Sequence, residues 1–269
     1  MSNRLLAILL LALAAPAHAE TLRVGGSGAA TILLQELFAA APHKETTELR
    51  VLGHLGTGGA LRALSAGALD LAIAGRPLTA QERDQGLRAV GSFRAPYVLV
   101  TSHPRPNGLR SSEIASLYVS PRPTWSDGSM IRVILRPKSE SDTAVLGETF
   151  PGMKAALASA RARHDVPIAA TDQDNLDAAE SIPSSLAGST LLQVTLEQRN
   201  LRLVPIDGAS PSVEALESGL YPYGKTFYVV LPAEFTAAAA RFAAFINSPA
   251  GETILRNSGA IRIVNPGES

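Results

Sequence analysis

The sequence predicts an α/β protein built as two lobes. Three observations carry this expectation. Short apolar strands alternate with amphipathic helices from Leu22 onward, the pattern of a parallel sheet covered by helices. A turn-rich stretch, Pro104 to Gly108, interrupts the alternation, and a second strand–helix set follows it. A late apolar strand, Phe227 to Leu231, then offers a route back to the first set.

The elements follow in order. Arg4, the apolar run Leu5 to Ala15 and Pro16-Ala17-His18-Ala19 make a positive start, an apolar stretch and an Ala-x-Ala site. Residues 1–19 are therefore expected to be a signal peptide cleaved after Ala19, since the run is shorter than the roughly 20 apolar residues of a membrane span. Leu22-Arg23-Val24 is a strand stopped by Gly25-Gly26, and Ser27-Gly28 opens a helix with Ile32, Leu33, Leu34, Leu37 and Phe38 at helical spacing. Leu49 to Leu52 is a second strand, Ala60 to Leu64 a helix, and Leu69 to Ala74 a third strand. Tyr97 to Val100 reads as a strand leaving this lobe. The second set comprises helix Ser112 to Tyr118, strand Ile131 to Leu135, helix Ala144 to Phe150 and an Ala-rich helix near Met153 to Arg163. Helices Thr236 to Asn247 and Pro249 to Arg256 close the chain.

Composition narrows the function. Lys+Arg and Asp+Glu each number 24, so no net field draws the chain to nucleic acid or anionic membrane. The 269 residues include no Cys, which removes disulfides and any lipid-anchored cysteine. An exported, disulfide-free chain of this size points to the periplasm.

Three Gly- or Ser-rich turns directly precede helices: Gly26-Ser27-Gly28, Thr57-Gly58-Gly59 and Ser139-Glu140-Ser141-Asp142-Thr143. A helix start carries unpaired N–H groups and partial positive charge, which suit an anion. Ser, Thr and Asp are also ordinary N-cap residues. What favours a ligand is that the first two turns follow successive strands of one sheet, whose ends face a common crevice.

Enzyme readings fit less well. Gly25-Gly26-Ser27-Gly28-Ala29 has Ala where a nucleophile elbow has Gly. Gly56-Thr57-Gly58-Gly59 lacks the Gly-Lys-Ser/Thr ending of a P-loop. The His residues are scattered, so no zinc site is expected. Asp172, Asp174 and Asp177 lack the glycine and terminal Glu of a calcium loop and read as a solvated loop. No cofactor and no metal are expected.

The chain resembles the substrate-binding proteins of phosphate ABC transporters, which have the type II periplasmic binding protein fold. The resemblance rests on Val24 to Thr31, Gly56 to Ala60, Gly67 to Leu78, Ser112 to Ala115 with Trp125 to Gly128, and Ile134 to Pro137 followed by Ser141-Asp142-Thr143 and Phe150. It continues through Ile206 to Pro211, Gly219 to Pro222 and Phe245 to Gly251. It implies a first lobe of residues 20–98 and 227–269, a second of 99–226, and a cleft between them, each lobe having a mostly parallel sheet flanked by helices. It implies ligand contacts from Ser27, Gly28, Ala29, Thr57 and Gly58, with Arg136, Ser141, Asp142 and Thr143 across the cleft and Arg76 beside it. Arg136 would be the charge partner through two parallel N–H···O bonds.

Two positions depart from the family pattern. Gly75-Arg76 stand where the family often has an Asp that accepts the ligand's proton, and Asp142 replaces the glycine of Ser-Gly-Thr. Asp142 is expected to cap its helix. The resemblance implies a monomeric, non-enzymatic periplasmic protein that captures a small oxyanion, phosphate foremost, and passes it to an ABC permease. The alternative is a divergent member serving as a sensory or interaction module with a degenerate or different-anion cleft.

Overall fold

A computed structural model describes residues 20–42 and 44–263; the signal segment expected at 1–19 lies outside the described residues. In chain order come β1 (Glu20–Gly26), a 3-10 turn (Gly28–Ala30), α1 (Thr31–Ala40), β2 (Thr47–Leu52), α2 (Gly56–Ser65), β3 (Leu71–Ala74), α3 (Ala80–Asp84) and β4 (Arg88–Thr101). Next are α4 (Ser111–Val119), β5 (Arg132–Val133), α5 (Ser141–Thr149), α6 (Met153–Arg161), α7 (Asp172–Ser181) and β6 (Ser185–Thr190). The last are α8 (Leu191–Leu196), β7 (Arg202–Leu203), α9 (Val213–Glu217), β8 (Gly224–Leu231), α10 (Ala237–Ile246), α11 (Pro249–Asn257) and β9 (Ile261–Ile263).

The strands run in the order β2-β1-β3-β8-β4-β6-β5, with β7 and β9 both paired to β4. β2, β1 and β3 are parallel to one another, and so are β5 and β6. Pairs that include β4 or β8 are antiparallel. The parallel runs come from strand–helix–strand crossovers, which the alternating pattern requires. The antiparallel pairs arise where the chain passes between halves of the molecule.

Two sets of apolar clusters mark those halves. Leu22, Leu33, Phe93, Phe227 and Phe242 lie in one core, with Leu61, Leu69 and Val230 in a satellite beside it. Tyr97, Tyr118, Trp125, Leu146, Met153 and Tyr221 form another, next to a cluster holding Val98, Leu176 and Val194. β4 belongs to both: Phe93 and Ala95 face the first, Tyr97 and Leu99 the second. It exchanges β8 for β6 as partner between Pro96 and Tyr97.

Several elements differ from expectation. The strand expected at Tyr97 to Val100 is the end of the fourteen-residue β4. Pro96, which lacks a donor, makes the run look as though it starts afresh. The strand expected over Ile131 to Leu135 shrinks to Arg132–Val133, although Ile134 and Leu135 still bond the backbone at Leu186 and Pro167. The acidic run at Asp172, expected to be a solvated loop, is helix α7 with Asp172 buried. Its start is set by a capping box, Thr171 Oγ1 receiving the Asp174 N–H and Asp174 receiving the Thr171 N–H.

Candidate functional site

The parallel register of β1, β2 and β3 brings their carboxyl ends side by side. After β1 the Ser27 N–H donates to the Ile73 carbonyl, 2.9 Å away, which holds the 3-10 turn against the end of β3. After β3 the Gly75 N–H donates to Thr57 Oγ1 at 2.9 Å, tying the start of α2 to the same place. Ser27 and Thr57 are buried. No side chain caps the start of α1 or α2, so the first-turn N–H groups there have no local side-chain acceptor.

Across from these turns stands Arg136, 7% exposed, at the end of the segment after β5. Its Nη1 donates to the Ala169 carbonyl at 2.6 Å and its Nη2 to Asp172 Oδ1 at 2.9 Å. Glu140 Oε2 lies 3.7 Å from Nη2. Arg136 Nε is buried without a hydrogen-bond partner among the described residues.

Asp172 joins the two sides. Its Oδ2 accepts the Ala29 N–H at 3.1 Å and lies 3.5 Å from Ser27 Oγ, while Oδ1 takes Arg136. Burial pushes the Asp172 carboxyl above its ordinary range and the Asp142 charge adds to this, against the pull of Lys225, Arg136 and the Ala29 N–H. Burial likewise raises Glu140.

A second pair closes the crevice beside the first. Lys225, at the start of β8, donates to Asp142 Oδ2 at 2.7 Å, and both residues are buried. Lys225 Nζ also sits 5.1 Å from the Phe227 ring centroid. Gly75 permits this packing: a Cβ there would fall 2.7 Å from Ser141 Oγ and 2.9 Å from Lys225 Cε. An Asp at this position would need Lys225 and Ser141 to move.

The expected contact residues therefore divide. Ser27, Gly28, Ala29 and Arg136 gather on the Asp172 carboxylate, and Thr57, Ser141 and Asp142 lie around Gly75 and Lys225. Thr143 turns away, its Oγ1 donating to the Arg136 and Pro137 carbonyls. Arg76 is engaged on the rim, its two terminal nitrogens bonded to Glu82 at 2.8 and 2.7 Å. Gly58 has only the Arg62 side chain near its α-carbon, 3.4 Å from where a Cβ would be. The expectation that Asp142 caps its helix is corrected: Glu140 holds the N-cap position, no side chain caps α5, and Asp142 pairs with Lys225. Sequence reasoning missed Asp172 and Lys225. Lys225 carried a signal, being one of very few lysines in an Arg-dominated chain.

No curated protein sequence matches the chain. A family model described as the PBP superfamily domain matches residues 13–250. Among solved structures, a candidate phosphate ABC-transporter substrate-binding protein from Clostridium perfringens, with bound phosphate, superposes with a TM-score of 0.78. It shares 17% identity, over 91% of this chain and 100% of that one. An ABC-type phosphate transport receptor from Vibrio cholerae gives a TM-score of 0.63 at 15% identity, over 91% and 100% of the two chains. A phosphate-binding protein from Stenotrophomonas maltophilia gives 0.65 at 12%, over 91% of each. These likenesses establish the fold, and with the family match over most of its length the chain belongs to the PBP superfamily.

Proposed function

We propose that the protein is a periplasmic solute receptor whose interlobe crevice captures a small oxyanion, phosphate foremost, and presents it to an ABC permease. One observation carries the reading: donors from both halves of the molecule, the Ala29 N–H, Ser27 Oγ and the Arg136 guanidinium, converge on one carboxylate group buried between them. That is a cradle for an oxyanion. The structures the chain resembles include receptors described as binding phosphate, which supports phosphate as the first ligand to test.

The lobes expected at 20–98 with 227–269 and at 99–226 hinge a few residues ahead of those bounds, where β4 changes partner between Pro96 and Tyr97 and where the chain re-enters β8 at Gly224. An anion lands on the first-lobe turns, and the second lobe closes Arg136 and the α5 start over it. The protein works as a monomer and carries out no chemistry. The Ser27 hydroxyl has a carboxylate 3.5 Å away instead of an imidazole, so it is placed to donate rather than to attack. Micromolar affinity corresponds to about 8 kcal/mol, within reach of a handful of charged hydrogen bonds at about 1.5–3 kcal/mol each.

Isothermal calorimetry of the chain from Glu20 onward against phosphate, sulfate, molybdate and small carboxylates tests this. One-site binding of at least one tetrahedral oxyanion is expected. Absence of heat with all of them at high protein concentration would sink the receptor reading.

A further inference from the structure

We infer that Asp172 is an internal ligand of the cleft: its carboxylate occupies the oxyanion position, latches the two lobes together, and must be displaced before an anion binds. This rests on the proposed function, because it takes the anion to use the same donors.

The contacts come first. Asp172 Oδ2 receives the Ala29 N–H at 3.1 Å and faces Ser27 Oγ at 3.5 Å, both in the first lobe. Oδ1 receives Arg136 Nη2 at 2.9 Å from the second. One carboxylate thus takes the donors that a bound oxyanion would take.

The fit is equally close. At Gly28 a Cβ would lie 2.6 Å from Asp172 Oδ2 and 2.9 Å from its Cβ. Only glycine admits the carboxylate, so the first-lobe turn is shaped around it.

The carboxylate also has no local duty. α7 is capped by Thr171 and Asp174, whose reciprocal bonds measure 3.0 and 2.9 Å. Asp172 is free to reach across the cleft without loosening its own helix.

Charge and space complete the case. Arg136 is matched by Asp172 and Lys225 by Asp142, and Glu140 brings a further carboxylate 3.7 Å from Arg136. Arg136 offers an entering anion no unmatched charge until Asp172 withdraws. Beside the carboxylate remains a hollow of about 40 Å³ lined by Gly28, Gly56, Arg136, Glu140 and Asp172 among others. The Asp172 carboxylate forms part of the wall of this hollow.

Two consequences follow. The apparent affinity for any anion is lowered by the fraction of molecules in which Asp172 has withdrawn. Ligands that merely reproduce a carboxylate gain little by displacing one, whereas a tetrahedral oxyanion offers additional oxygens. Asp172 therefore sets specificity as well as affinity, and excludes simple monocarboxylates.

The test compares the wild type with Asp172→Ala and the near-isosteric Asp172→Asn, which keeps the shape should the alanine variant fold poorly. Small-angle scattering reads lobe closure in the free proteins, and calorimetry reads phosphate and acetate binding. The free wild type is expected to be compact and unchanged by phosphate. The variants are expected to expand when free, contract with phosphate, and bind it at least about tenfold more tightly, with acetate becoming detectable. Variants that stay as compact as the wild type and bind phosphate no better would overturn the inference while leaving the receptor reading intact. Variants that open yet bind no oxyanion would support the latch and overturn the receptor reading.

Discussion

The buried Lys225–Asp142 pair makes a sharp prediction. Both residues are almost inaccessible, 1% and 6% exposed, and are joined by a 2.7 Å bond. Removing one partner leaves the other charge buried and unmatched, which costs about 3–5 kcal/mol, whereas losing a helix cap costs only about 1 kcal/mol. Lys225→Met keeps the packing of the side-chain stem against Gly75 and removes only the ammonium. At about 2–4 °C per kcal/mol for a chain of this size, Lys225→Met or Asp142→Asn should each lower Tm by roughly 6–20 °C. The double variant, with no stranded charge, should recover a large part of the loss. Urea and thermal unfolding of the four proteins at pH 7 form the cycle, and the coupling between the two sites is the quantity sought. Single variants that each cost about 1 kcal/mol or less, with additive effects, would refute the assignment and return Asp142 to an ordinary first-turn acid.

Other outcomes follow from the same geometry. Arg136→Ala removes the one guanidinium in the cradle and should weaken oxyanion binding at least about tenfold, since a charged hydrogen bond contributes about 1.5–3 kcal/mol; calorimetry with retained affinity would remove Arg136 from the site. Gly75→Asp places atoms against Ser141 and Lys225, so it should destabilise the closed form by about 1–3 kcal/mol, read as a lower Tm and a larger radius of gyration. On the rim, the bidentate Arg76 contact holds Glu82 down at about 2. A depressed carboxylate contributes stability that is present above its unfolded value and lost as pH falls through the folded one. The stability gap between wild type and Glu82→Gln should therefore close between about pH 4.5 and 2, and a gap that persists unchanged at the acid end would contradict the pairing.

How far the sequence reaches depends on how local the cause is. The first-lobe strands and helices were legible because short apolar runs alternate with segments of helical periodicity, and β1, α1, β2, α2 and β3 follow in that order. The exit from the first half near Tyr97 was legible too, but the unbroken length of β4 was not, because Pro96 looks like a break and the partners Gly224 and Lys225 lie far along the chain. α7 escaped notice for a different reason. Its sequence, DQDNLDAAES, buries little more than Leu176 and Ala179 as apolar residues, so no periodic stripe announces a helix. Its cap, Thr171 with Asp174, resembles ordinary loop chemistry.

The site divides along the same line. Ser27, Thr57 and Arg136 lie beside strand ends, where topology alone predicts a crevice. Which charge neutralises which is a tertiary fact. Asp142 carried a signal for capping and none for Lys225, and Asp172 reaches Ala29 only once both halves have folded.

The central claim is that an oxyanion binds on the Ala29 N–H, Ser27 Oγ and Arg136 in place of the Asp172 carboxylate. A crystal structure of the chain from Glu20 onward at saturating phosphate tests it directly. The account predicts tetrahedral density on those three donors with Asp172 swung out of hydrogen-bond reach. Phosphate bound elsewhere, with Asp172 still 2.9 Å from Arg136 Nη2, would contradict it.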